Sequence, residues 1–295
     1  MIFGRTLAAI MTVTSIAALT ACSRTPRPAP ADPTAAPPAG LTIGIAQYRG
    51  DEPAHRLQAT VRNQGPHTVR FTAVRLESGS FEPLPPAAFD HTIGRTPRTD
   101  LPMPYGRARC NPTTVPEPQP SAVIARISLG DQPPHDVRFP LPHPDPLLSR
   151  LLRAECEAHI IRQTADFAFG DEWTHHEGGE LLALRGTLHV TRRGGTSPVT
   201  IQDVGGTTHY TVDPRPGKRR PIATLEGNAA ELAIPVEITP GRCDAHAFAE
   251  AKKAYLFPVW VSIAGGETRS LIVTPPKKTQ DAMLAYARKA CGVPG

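Results

Sequence analysis

The nine residues Arg242-Cys243-Asp244-Ala245-His246-Ala247-Phe248-Ala249-Glu250 bring together a thiol, an imidazole and two carboxylates. Asp244, His246 and Glu250 have types and spacing that suit a metal such as zinc or calcium, because side chains at these intervals can share one helical face. The same stretch also reads as one end of a disulfide with polar neighbours. Asp244 then caps a short helical turn through backbone N–H groups, and His246 satisfies nearby carbonyls. A second cluster, Glu172-Trp173-Thr174-His175-His176, sets an aromatic beside two imidazoles. Exposed in a loop, Trp173, His175 and His176 would form a recognition tip or a weak metal site; the plain reading is a polar loop. No phosphate-cradling glycine loop, nucleophile elbow or paired carboxylates can be read from spacing. No catalytic residue is assigned, no cofactor is expected, and the chain is not read as an enzyme.

The elements that must carry these residues are mainly β. Alternating or β-branched runs predict strands at 41–49, 56–63, 68–77, 121–129 and 136–141, and again at 160–169, 181–191, 199–204, 256–264 and 268–274. Asn63-Gln64-Gly65-Pro66 marks a turn. Two helices interrupt the pattern. Asp145 precedes Pro146 and the leucines at 147, 148, 151 and 152, which is a capped helix start leading to Cys156. Thr279–Cys291 places Met283, Leu284, Ala287 and Cys291 on one stripe.

Matches between the two parts suggest a repeat. Gly50-Asp51-Glu52 faces Gly170-Asp171-Glu172, Leu57–Val61 faces Leu184–Leu188, and Asp100–Pro104 faces Glu231–Pro235. Cys110 then matches Cys243, and Cys156 matches Cys291. The offset only grows along the chain, as a duplication with small insertions requires. The expectation is two tandem immunoglobulin-like β-sandwiches, 41–156 and 157–295, each closed by a short C-terminal helix. The repeat also weakens two motif readings. Arg49-Gly50-Asp51 spells an adhesion tripeptide, but Phe169-Gly170-Asp171 at the matching place assigns Gly-Asp-Glu to turn chemistry. Asn111, Thr113 and Glu117 stand where the second copy has Asp244, His246 and Glu250, so only one donor is kept.

Residues 1–21 carry one charge, Arg5, ahead of an apolar run too short to span a membrane comfortably, and they end at Leu19-Thr20-Ala21-Cys22. This resembles the lipobox of bacterial lipoproteins. The resemblance implies cleavage before Cys22, acylation of that cysteine, and anchoring to membrane lipid through it. Residues 22–40 follow as a tether holding six prolines, too poor in apolar side chains to fold.

Five cysteines therefore become four, and outside the cytoplasm these are expected to pair. If the copies fold alike, the pairs are Cys110–Cys156 and Cys243–Cys291, closing loops of similar length. Loss of Arg5 with the signal leaves 31 basic against 27 acidic residues, net +4. The basic residues are dispersed, which does not point to nucleic acid. The cluster Lys218-Arg219-Arg220 reads as a solvated charge run within reach of lipid phosphate.

The layout is similar to uncharacterised secreted lipoproteins of high-GC Gram-positive bacteria, in which a segment like Arg242-Cys243-Asp244-x-His246-Ala247 precedes a strand. The resemblance implies an address on the extracytoplasmic face of the cell membrane but no activity. The leading expectation is a membrane-anchored binding or interaction module with a protein or cell-wall partner. The alternatives are an extracytoplasmic metal-binding protein or enzyme using Asp244, His246 and Glu250, and a passive envelope spacer.

Overall fold

A computed structural model of the protein describes residues 35–176, 182–214, 219–244 and 253–292. The first half contributes β1 (Leu41–Ala46), β2 (Arg56–Asn63), β3 (Val69–Ser78), β4 (Ala87–Ile93), β5 (Thr96–Pro104), β6 (Ser121–Leu129) and β7 (His135–Pro140), followed by α1 (Pro146–Thr164). These strands form two antiparallel sheets, β1–β2–β5 and β4–β3–β6–β7. Inward residues of both sheets, including Leu57, Val61, Phe71, Val74, Met103 and Ile127, meet in one core. Each large side chain buried there contributes about 1.5–3 kcal/mol.

The expected turn after β2 forms through Asn63, which is buried. Its Oδ1 accepts the Gly65 N–H at 3.0 Å, and its Nδ2 donates to the His67 carbonyl at 2.9 Å. An asparagine can close a turn on its own backbone in this way.

The second half contains β8 (Ala165–Phe169), β9 (Thr174–His176), β10 (Ala183–Arg192), β11 (Val199–Val204), β12 (Tyr210–Pro214), β13 (Ala223–Leu225), β14 (Glu231–Pro240), β15 (Phe257–Ile263) and β16 (Arg269–Val273), then α2 (Lys277–Cys291). One sheet runs β8–β10–β14–β12, with β9 also on β10, and the other runs β13–β11–β15–β16. Leaving β9 and β12 aside, the connectivity is that of the first half. Leu188, Ile201, Val236, Val259 and Phe257 fill its core. The anchor of α2 is Tyr286, whose hydroxyl lies 2.7 Å from the Leu182 carbonyl and 3.0 Å from that of Ile238. Burial, with the nearby charge of Glu237, pushes this phenol up to about 12.

The helix α1 departs from expectation. Asp145 caps it as predicted, accepting from the N–H groups of Leu147 and Leu148 at 2.9 and 3.0 Å. The sequence reading ends the helix at Cys156 and starts a strand at Ile160; the helix instead continues to Thr164, and β8 takes only Ala165–Phe169. The reason is that α1 serves two cores. Leu148, Leu151, Leu152 and Cys156 enter the first, whereas Ala158 and Ile161 enter the second. The expected boundary between 156 and 157 therefore falls inside a continuous helix. Its last carbonyl, of Thr164, accepts the Arg193 N–H at 2.8 Å from the turn after β10, so the helix end is satisfied by the second half.

Both expected cysteine pairs are present. Cys110 joins Cys156 and Cys243 joins Cys291, each with Cα atoms 5.1 Å apart. Cys291 ends α2, but Cys156 lies within α1, so the first bridge staples a post-β5 loop to the middle of the strut. Among the described residues no helix is long and apolar enough to cross a membrane.

Candidate functional site

An open groove of about 590 Å³ lies where α1 passes between the halves. Its volume falls in the range of ligand pockets, which favour such junctions. Glu155, His159 and Arg162 lie on the face of α1 that neither core covers, at the i, i+4 and i+7 spacing of one helical stripe. His55 and Arg107 enter from the first half, Arg193 and Ile272 from the second.

The best-defined geometry surrounds His55. Its φ is +51°, a conformation uncommon outside glycine. The preceding turn is held by Asp51, a buried carboxylate that accepts from Arg56 Nε at 2.7 Å, Gln58 Nε2 at 3.0 Å and the Tyr48 N–H at 3.1 Å. Burial alone would raise the Asp51 pKa, but these donors outweigh it and leave the carboxyl below its ordinary value. The His55 ring stacks on Tyr105 at 3.9 Å between centroids. Its Nδ1 lies 2.9 Å from the Tyr105 carbonyl and its Nε2 lies 3.0 Å from Glu155 Oε1. Both neighbours are acceptors, so the protonated ring, in which both nitrogens donate, is the form this arrangement favours. The Glu155 hydrogen bond is the main cause of its raised pKa, opposed by partial burial and assisted by the Tyr105 carbonyl.

Glu155 is fully engaged, since its Oε2 accepts the Ala108 N–H at 2.8 Å. His55 thus has both ring nitrogens engaged, and its partners stabilise the protonated form. None of this could be read locally. His55 is 100 residues from Glu155, and its loop looks plainer than the Trp173 loop at the matching place.

The residues singled out from sequence do not gather here. Trp173 is half-buried, not an exposed tip. Its indole N–H donates to the Gly170 carbonyl at 2.8 Å, and its ring lies so close to Gly186 that a Cβ there would stand 2.5 Å from Cε3. Gly186 is the only residue type that admits this ring. His175 and His176 are neighbours on β9, so their side chains leave on opposite faces and do not converge on one ion. Asp244 is exposed and ion-paired with Arg242 at 2.9 Å. His246, Glu250, Lys218 and Cys22 lie outside the described residues. Among the described residues no group of three or more histidine, cysteine or acidic side chains is placed to hold a metal.

Asp51 also disposes of the adhesion reading, because its carboxylate is consumed inside the turn. The shared turn chemistry does not extend to the second half: Asp171 is exposed where Asp51 is buried. Arg220 pairs with Asp203, and Arg219 borders the same small pocket.

No family model matches the chain, and no curated protein matches it. Among solved structures, a protein of unknown function from Porphyromonas gingivalis W83 aligns over 80% of this chain and 95% of that chain, at 12% identity and a TM-score of 0.21. That score is too low to equate the two folds.

Proposed function

We propose that the protein is a lipid-anchored binding module on the extracytoplasmic face of the cell membrane, formed by two immunoglobulin-like domains that arose by duplication. Residues 1–21 act as the signal peptide, Cys22 carries the lipid, and the tether to residue 40 lifts the folded part from the bilayer. The lipobox-like Leu19-Thr20-Ala21-Cys22 supports the anchor, and two disulfides fit an oxidising compartment. The duplication reading is supported by the shared order, β1–β2–β5 with β4–β3–β6–β7 against β8–β10–β14 with β13–β11–β15–β16. The equivalent placement of two cysteine bridges, 46 and 48 residues apart, supports it further.

The observation that carries the binding reading is α1. It ties the halves into one body and leaves between them a groove that neither half forms alone. A spacer would need no such concavity.

Crosslinking on intact cells, with identification of captured partners, tests the module. Capture that persists in the wild type and is lost in an Arg162→Ala variant is expected; identical capture by both would remove the groove from the reading. The anchor is tested separately by acyl labelling and membrane fractionation of a Cys22→Ser variant, which is expected to lose label and be released.

A further inference from the structure

The groove is unbalanced in charge. Arg107, Arg162 and Arg193 line it together with His55 and the half-buried His159, whereas its one carboxylate, Glu155, has both oxygens occupied. Among the described residues the Arg107 side chain makes no hydrogen bond or ion pair. Arg162 spends one N–H on the Ile272 carbonyl at 3.3 Å. Arg193 is 3.5 Å from Asp166, and both are largely exposed. Most guanidinium donors are therefore left for a ligand.

These three arginines come from three places: the loop after β5, the last turn of α1 and the turn after β10. We infer that the groove binds a phosphate group carried by a larger molecule, with Arg107, Arg162 and Arg193 as its donors. A planar carboxylate is matched by one bidentate fork, whereas a tetrahedral phosphate offers oxygens to forks from several sides. The volume exceeds that of an inorganic ion, and Ala154, Ala158 and Ile272 supply an apolar floor for an esterified group. His55 is a positioning residue: it holds Glu155 away from the ligand.

This inference rests on the binding-module reading for its site but not on the anchor, so the two fail separately. The probe is glycerol phosphate, titrated calorimetrically into the full chain in detergent, with phosphatidylglycerol vesicles as a second arm. Saturable one-to-one binding is expected, weakened at least about tenfold by Arg107→Ala and by Arg162→Ala, and partly restored by Arg162→Lys. Arg70→Ala, on the outer surface of β3, is expected to bind like wild type. Among the described residues the Arg107 side chain has no hydrogen-bond or ion-pair partner, so an unchanged thermal midpoint for its variant separates binding from folding. If vesicles bind, and the same arginine variants abolish it, the phosphate belongs to a lipid headgroup. Vesicle binding insensitive to those variants, absence of binding at millimolar glycerol phosphate, or equal weakening by Arg70→Ala would each overturn the assignment.

Discussion

Glu155 and Glu157, two residues apart on α1, hold opposite halves of the protein. Glu155 accepts from His55 and from the Ala108 N–H in the first half. Glu157 Oε2 accepts both the N–H and the hydroxyl of Ser270 on β16, each at 3.1 Å. Cys156 between them carries the first disulfide. Successive helical residues point in different directions, so three consecutive positions reach three partners. A further tie between the halves, Lys253 to Glu52 at 2.5 Å, lies at the end of the β1–β2 turn.

Glu157→Ala is expected to lower stability by about 1–3 kcal/mol, because the half-buried Ser270 N–H loses its acceptor. Glu157→Gln should cost less, since its amide oxygen can still accept. Urea unfolding of the three proteins checks this, and equal midpoints would show that the tie contributes nothing.

The His55–Glu155 pair makes stability depend on pH. Its folded pKa is raised above the ordinary 6.5, so its contribution is complete below 6.5 and is lost as pH rises through the folded value. Unfolding free energy should therefore decline above pH 6.5. His55→Gln and Glu155→Gln should each flatten that part of the profile, and a slope unchanged in both would rule out this source.

Each disulfide closes a loop of fewer than fifty residues, 46 and 48 in separation. In the chain-entropy estimate each is worth about 4 kcal/mol. The Cys110→Ser/Cys156→Ser protein should lose close to that amount in denaturant titration. Losing Cys243–Cys291 should chiefly free α2, visible as reduced amide protection over Lys277–Cys291.

Gly186→Ala should displace the Trp173 ring, whose Cε3 would stand 2.5 Å from the new Cβ. A cost of about 1–3 kcal/mol and a red shift of tryptophan emission are expected. The other tryptophan, Trp260, is on β15 and serves as the internal reference.

Leu152→Ala removes a fully buried side chain where α1 meets the first core. About 2–5 kcal/mol should be lost. Thermal unfolding would report it, and a change below 1 kcal/mol would mean that α1 repacks freely.

Legibility varied for reasons that particular residues explain. The strands 56–63, 121–129 and 199–204 were readable to the residue, because β-branched and aliphatic side chains dominate them. β5 and β14 were matched as repeats without being read as strands, because prolines interrupt them. The prolines are tolerated because β5 is an edge strand. β12 accompanies β14 only from Val236 onward, which leaves Pro235 with one neighbouring strand. The register also moves the expected match: Leu57 pairs with Met103, but Leu184 pairs with Ile238, four residues beyond the Ile234 that sequence alignment sets against Met103. A four-residue shift keeps the same face inward, so the core pattern survives it.

By itself the sequence determined the β-rich class, the paired cysteines and the helix starting at Asp145. The strands and the helix follow from local rules of periodicity and capping, and the pairing from the match between the two copies. The tertiary structure alone decided that α1 runs past Cys156 as a shared strut. It also decided that His55 meets Glu155 and that three arginines face one groove. The physical reason is distance along the chain. Periodicity reports that a residue is buried but not which core buries it, and His55, Arg107, Glu155 and Arg193 become neighbours only when both halves close on one helix.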